Sequence, residues 1–115
     1  RGMAVDVQTE FEAASADTLT AVIVPYKSEA RRVAKVLGEA AVVLGERDSL
    51  PDGGVVVLPL KLAKGLEFDR VIVPDASPQV FPASDLARRR LYTTISRATR
   101  HVTILANGEL TELLR

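Results

Sequence analysis

Three side chains suited to ligand binding stand close together in residues 62–70, which read Leu-Ala-Lys-Gly-Leu-Glu-Phe-Asp-Arg. Lys64 is a cation, Gly65 lets the backbone turn tightly, and Glu67 is a carboxylate that accepts hydrogen bonds from hydroxyl groups. These groups suit a ligand that bears phosphate or sugar. Lys-Gly pairs are also common in solvated connections, so on these residues alone both interpretations stay open.

A second set of polar residues lies in a predicted helix that Ser84 is placed to cap. Its predicted buried stripe consists of Ala87, Leu91, Ile95 and Ala98. Basic and hydroxyl side chains share the opposite side, namely Arg90, Thr93, Thr94, Arg97 and Arg100. A basic stripe on a helix is usually a solvated face, so the pattern by itself assigns no function to it.

Short apolar runs surround both sets. Residues 55–58 and 71–73 flank the Lys-Gly segment, and residues 21–24, 41–44 and 102–106 form further runs. Runs of this kind are typical of strands buried on both faces of a parallel sheet. Between residues 21–24 and 41–44, we predict a helix that Ser28 caps, with Gly38 just past its end. The sequence therefore predicts an α/β domain, with residues 62–70 near the carboxyl ends of strands, where such sheets bind ligands.

Length and composition indicate one ordinary globular domain of 115 residues. We predict residues 1–20 to be an edge segment of the domain formed by residues 21–115, with a short helix over residues 109–114. The opening Arg-Gly-Met, without an initiator methionine, favours a segment of a longer protein.

Several classes of protein are disfavoured by the same composition. The chain has no Cys and a single His, so neither a disulfide framework nor a Cys- or His-based metal site is expected. The absence of Cys also fits the reducing cytoplasm, so we expect a cytoplasmic location. No apolar run approaches the roughly 18 residues that span a bilayer. The formal net charge is zero, so no overall field would draw the protein to nucleic acid.

Two stretches resemble motifs of a known family. Residues 63–68, Ala-Lys-Gly-Leu-Glu-Phe, resemble motif V of the UvrD/Rep-like superfamily-one DNA helicases, and motif V extends here over about residues 59–69. Residues 91–98, Leu-Tyr-Thr-Thr-Ile-Ser-Arg-Ala, resemble their motif VI. The similarity covers roughly residues 21–106 and is greatest, near residues 59–69, to the branch that associates with RNA polymerase. It implies a three-layer RecA-like fold of the P-loop NTPase type, the second motor domain of such a helicase.

The resemblance also implies roles for individual residues. Arg97 matches the arginine finger, which is the catalytic contribution of this domain. Glu67 matches the ribose contact, accompanied in nucleotide binding by Gly65 and Lys64. The nucleic-acid contacts are expected at Tyr26, Lys27, Lys61 and Thr94. Most relatives carry a Thr-x-His pair where this chain has Pro59 and Lys61. This difference weakens the argument for assigning the DNA contacts of the family to this chain.

Half of the expected machinery is missing from the sequence. There is no Gly-x-x-x-x-Gly-Lys-Ser/Thr phosphate loop. The expected function is therefore the carboxyl-terminal motor domain of an ATP-dependent DNA helicase or translocase, inactive alone. ATP with Mg²⁺ would be bound mainly by an N-terminal motor domain, and single-stranded DNA would be the substrate. The alternatives are a non-catalytic module that docks on RNA polymerase or another protein and, less compatible with the motifs, a flavodoxin-like regulatory domain.

Overall fold

A five-stranded parallel sheet forms the centre of the protein, in the strand order β2-β3-β1-β4-β5. The structure, a computed structural model, describes residues 18–38, 41–45, 48–106 and 108–114. The predicted edge segment of residues 1–20 therefore lies almost entirely outside the described residues. The strands are β1 (Leu19–Val24), β2 (Ala41–Val43), β3 (Gly54–Pro59), β4 (Phe68–Val73) and β5 (Ala98–Ile104). The helices are α1 (Lys27–Leu37), α2 (Leu60–Ala63) and α3 (Asp85–Ile95), followed by a 3-10 turn, Glu112–Leu114.

Strand β1 is the central strand, and all six of its residues are buried. It pairs in parallel with β3 on one side and with β4 on the other. Because successive side chains of a strand point to opposite faces, Val22 and Val24 pack with α1, whereas Ala21 and Ile23 pack with α2. Helix α3 packs through Leu91 beside Val73 of β4. Helices thus cover both faces, and the predicted three-layer α/β fold is confirmed.

Helix α1 begins two residues earlier than the sequence predicts, with Tyr26 rather than Ser28 at the cap position. The residue before its first turn is Tyr26, which has an extended backbone and makes no side-chain cap. Its carbonyl accepts hydrogen bonds from the amides of Glu29 and Ala30. The prediction that Ser28 caps the helix is therefore wrong, because Ser28 lies within the first turn. The predicted end is confirmed at Gly38, whose positive φ of 77° suits glycine.

Helix α3 begins as predicted, since the Ser84 side chain accepts a hydrogen bond from the Ala87 amide at 3.1 Å. Its buried stripe differs from the prediction at the far end. The helix stops at Ile95, the chain turns through Ser96 and Arg97, and Ala98 is the first residue of β5 rather than part of the helix. The predicted helix of residues 109–114 is reduced to the short 3-10 turn. Within the described ranges, no helix is long and apolar enough to cross a membrane.

Candidate nucleotide and nucleic-acid sites

The connection between β3 and β4 runs from the carboxyl ends of the strands to their amino ends. In a parallel sheet all carboxyl ends lie on one side, here called the carboxyl edge, and all amino ends lie on the opposite side, here called the amino edge. Pro59 ends β3 at the carboxyl edge, whereas Glu67 directly precedes β4 at the amino edge. The expectation that residues 62–70 all lie at the carboxyl edge is therefore wrong, because α2 and the turn after it carry the chain across. Gly65 makes that turn with a φ of 80°, a conformation that favours glycine.

Glu67 and Arg97 come together at the amino edge. Strands β4 and β5 are neighbours, and Phe68 pairs with Ala98 at their first residues. The Phe68 amide donates a hydrogen bond to the Arg97 carbonyl at 2.9 Å. Glu67 and Arg97 thus occupy equivalent positions, each directly before its strand. The two motifs are about thirty residues apart in sequence, yet the residues predicted to contact the nucleotide are neighbours.

The Arg97 guanidinium retains hydrogen-bonding capacity. Its Nη2 donates to the Ser96 hydroxyl at 3.3 Å. Its Nε is buried and has no hydrogen-bond partner among the described residues. A buried donor without a partner is unfavourable. The outer end of the side chain is exposed at Nη2, so the terminal nitrogens can meet an added acceptor such as a phosphate oxygen. Glu67 nearby is exposed, which leaves its carboxylate open to a ligand.

Asp69 fixes the strands that carry this pair. One carboxylate oxygen accepts a hydrogen bond from the Leu19 amide at 2.9 Å, joining the starts of β1 and β4. The other lies 3.8 Å from Nε of Arg100 on β5. In addition, the Thr99 hydroxyl donates to the Phe68 carbonyl at 3.2 Å. The amino ends of three strands are therefore joined directly around the candidate nucleotide site.

Two grooves meet at Tyr26 on the carboxyl edge. The first groove has a volume of about 480 Å³, and its lining includes Pro25, Lys27, Arg31, Leu44, Asp48 and Lys61. The second groove has a volume of about 510 Å³, and its lining includes Leu60, Lys61, Lys64, Leu86, Arg89 and Arg90. Tyr26 lines both grooves and is 51% exposed. Tyr26, Lys27 and Lys61, predicted as nucleic-acid contacts, are thus brought together, and Lys64 lies with them.

The charge of the grooves differs from that of the whole chain. Among the described charged residues that line them, six are basic and one is acidic; they are Lys27, Arg31, Lys61, Lys64, Arg89, Arg90 and, with the opposite sign, Asp48. The formal net charge of the chain is zero. The described lining of the grooves is therefore predominantly positive, which favours a polyanionic ligand.

Thr94 does not belong to this surface. Its side chain is only 3% exposed, and its hydroxyl donates to the Arg90 carbonyl at 2.7 Å within α3. A buried hydroxyl that is already bonded to the helix backbone cannot contact DNA, so the expectation for Thr94 is corrected. The sequence analysis placed Thr94 on the polar side of the helix, which is wrong. Thr94 occupies a buried position on the same side as Leu91 and Ala87.

One contact at the carboxyl edge is not evident from the sequence. Nη1 of Arg90 donates to the Tyr26 hydroxyl at 2.7 Å, and the guanidinium carbon lies 5.1 Å from the centre of the Tyr26 ring. The two residues are 64 positions apart. The only sequence signal was the place of Arg90 on the basic stripe, which gave no indication of its partner.

Within the described ranges, Glu29 is the acidic side chain near this edge with a displaced pKa. Burial raises the pKa of the Glu29 carboxyl above its usual value, the charge of Arg32 lowers it, and the charge of Asp75 raises it, with a net increase. The folded protein therefore holds the Glu29 proton more tightly than the unfolded chain does. This contribution to stability is present at low pH and is lost as the pH rises through the pKa of the folded state.

We therefore expect Glu29→Gln, which cannot titrate, to gain stability relative to the original protein as the pH rises from about 4 to about 7. Chemical denaturation of both proteins at the two pH values measures the difference in unfolding free energy. A difference that stays constant with pH would show that Glu29 titrates alike in the folded and unfolded states.

No group of three or more His, Cys, Asp or Glu side chains that could hold a metal ion occurs in the described part of the chain. The residues at the amino edge do fit part of a nucleotide. The exposed terminal nitrogens of Arg97 suit a phosphate oxygen, and the exposed Glu67 suits a hydroxyl group.

Comparison with known proteins supports one family. The sequence model of the UvrD-like helicase C-terminal domain matches residues 54–105, which include both Glu67 and Arg97. A crystal structure of the C-terminal domain of a possible DNA helicase from Lactobacillus plantarum WCFS1 is 35% identical, with a TM-score of 0.77. The similarity covers 96% of this chain and 68% of that one. No curated protein sequence matches.

A more distant structure shows the same fold. The C-terminal domain of the DEAD-box protein Dbp5 is 17% identical, with a TM-score of 0.55, over 91% of this chain and 71% of that one. At this identity the likeness concerns the fold alone. Together with the five-stranded parallel sheet, these comparisons identify a RecA-like helicase domain. The chain belongs to the UvrD-like helicase C-terminal domain family.

Proposed function

We propose that this domain is the second motor domain of an ATP-dependent DNA helicase or translocase and supplies half of an ATP site. The observation that carries the proposal is the hydrogen bond from the Phe68 amide to the Arg97 carbonyl, which holds Glu67 and Arg97 side by side at the amino edge. The sequence has no phosphate loop of its own. The remaining parts of the site, including the Mg²⁺ ligands, would belong to an N-terminal motor domain.

Arg97 is proposed as the arginine finger. Its guanidinium is permanently charged and planar, and its Nε lacks a partner among the described residues. Such a group stabilises the negative charge that develops on the oxygens of a phosphoryl group during transfer. Glu67, which is exposed beside it, would accept a hydrogen bond from a ribose hydroxyl. ATP would supply the phosphoryl group, while Arg97 and Glu67 would orient it and balance its charge.

The carboxyl edge is proposed as part of the path of single-stranded DNA. Lys27 and Lys61 lie beside the exposed ring of Tyr26, and the grooves on either side carry six basic residues against one acidic residue. Cations that follow the phosphate backbone, combined with an aromatic side chain for the bases, are the usual means of binding single strands. Lys64 lines the second groove, so we propose a phosphate contact for it in addition to the expected role beside the nucleotide.

The proposal is tested by steady-state ATP hydrolysis with and without single-stranded DNA. We expect the longer protein that contains this domain to hydrolyse ATP, and to do so faster with DNA. The 115-residue chain alone should show no turnover, because it lacks the phosphate loop. If the longer protein binds DNA but hydrolyses no ATP under any condition, the motor proposal is wrong, and a non-catalytic module that docks on RNA polymerase or another protein becomes the better explanation.

A further inference from the structure

Tyr26 is a large exposed ring held in one position by Arg90. Only Pro25 separates it from β1, and it directly precedes α1, so its backbone is held between two regular elements. Its hydroxyl accepts a hydrogen bond from Nη1 of Arg90 at 2.7 Å. The Arg90 guanidinium also lies over the ring, 5.1 Å from its centre, within the range of a cation–π contact. An exposed tyrosine would otherwise change rotamers freely, and these two contacts restrict it.

Arg90 contacts Tyr26 from one of the two grooves. Tyr26 lines both grooves, whereas Arg90 lines only the second. The guanidinium lies at the hydroxyl end of the ring, where it makes its hydrogen bond. The first groove, which Arg90 does not line, has a volume of about 480 Å³, within the range of ligand pockets, about 300–1,000 Å³.

The first groove offers complementary groups for one nucleotide. Pro25 and Leu44 provide apolar surface beside the ring. Lys27, Arg31 and Lys61 supply cations around it. A flat apolar base with an attached phosphate matches this combination, whereas a purely apolar ligand would leave three charges unused.

On the basis of the proposed function at this edge, we propose that the first groove is a nucleobase subsite with the exposed ring of Tyr26 as its stacking wall, and that Arg90 is the positioning residue for that ring. The occupant is one base of a single strand, with its phosphate at the cations of the groove. Arg90 acts through Tyr26 and not through a phosphate contact of its own.

The tyrosine content of the chain allows a direct test. There are two Tyr and no Trp, and Tyr92 is 53% exposed on α3. In the Tyr92→Phe protein, Tyr26 is the sole source of tyrosine fluorescence. Titration with an oligo(dT) single strand should quench that emission, because a stacked base deactivates the excited ring. The affinity is measured in parallel with a labelled oligonucleotide.

Three variants in the Tyr92→Phe background separate positioning from charge. Tyr26→Ala should weaken binding by about tenfold, as expected for the loss of one stacked base. Arg90→Gln should lower the quenching at saturation and weaken binding by about fivefold. Arg90→Lys, which keeps the charge but loses the planar fork, should recover only part of the quenching. The control is Arg89→Gln, which removes one charge from the second groove and should weaken binding without changing the quenching at saturation.

Each outcome bears on a different statement. Absence of any binding by the original chain at low salt would contradict the proposed nucleic-acid edge itself. Binding without a change in Tyr26 emission would leave that edge intact and overturn the base subsite. Equal quenching at saturation in Arg90→Gln and Arg89→Gln would overturn the positioning role of Arg90. Thermal unfolding of each variant establishes that its fold is retained.

Discussion

Replacing Arg97 with alanine is expected to lower ATP turnover by about a thousandfold in the longer protein that contains this domain. The planar cation would no longer be available to the developing charge on the transferred phosphoryl group. Binding of ATP should change little, because the rest of the nucleotide is held elsewhere. Single-turnover hydrolysis, combined with binding of a fluorescent ATP analogue, measures the two effects separately.

The structure offers a matched control for this substitution. Arg100 is also exposed near the amino edge, but its Nε lies 3.8 Å from the Asp69 carboxylate. Arg100→Ala should leave turnover close to that of the original protein. Arg97→Lys keeps a charge without the fork and should recover only a small part of the activity. An Arg97→Ala protein with the original turnover would remove Arg97 from the proposed catalytic role.

The second large effect is expected at Phe68. Its side chain is 1% exposed, in the cluster that also contains Ile23, Leu58 and Val71. Phe68→Ala should lower the free energy of unfolding by about 3–5 kcal/mol, since it removes a buried ring and leaves a cavity. That loss is a large share of the roughly 5–15 kcal/mol that stabilises a typical domain.

Urea denaturation of the isolated domain measures the Phe68 effect. The control is Tyr92→Ala, which removes an exposed aromatic ring from α3 and should change the unfolding free energy by no more than about 0.5 kcal/mol. The Phe68 amide donates the hydrogen bond to the Arg97 carbonyl, and Glu67 is the residue before it. Loss of the Phe68 side chain should therefore also disturb the candidate nucleotide site. Similar stability of the Phe68→Ala and Tyr92→Ala proteins would show that this core cluster contributes little.

The parts of the fold with a strong local pattern were predictable from the sequence. The β-branched runs of β1, β3 and β4 are apolar on both faces, which is the pattern of a central parallel strand. Ser84 could be identified as a helix cap because the chemistry of a cap is local. The same holds for Gly38 and Gly65, where the backbone conformation favours glycine.

Features that depend on distant contacts were not predictable. Ser28 is a better capping residue than Tyr26, yet α1 begins at Lys27 without a side-chain cap, and the local pattern does not reveal this. The sequence pattern placed Thr94 on the polar side of α3, although the packing of α3 on the sheet buries it. The contact between Arg90 and Tyr26 joins residues from opposite halves of the chain, and no local pattern encodes it. In the candidate nucleotide site, the residue types suggested a function, but only the pairing of β4 with β5 makes Glu67 and Arg97 neighbours.

The central position of β1 also affects how the chain reaches this fold. β1 is the first strand in the described sequence, but its partners β3 and β4 begin at Gly54 and Phe68. During synthesis, its six apolar or hydroxyl side chains therefore remain unpaired until the residues of β3 and β4 have been made. Sheets built from such non-local pairs fold slowly, and their strands are exposed to aggregation until the pairs form. The arrangement that buries β1 in the finished domain thus leaves its apolar side chains exposed in the nascent chain until β3 and β4 have been made.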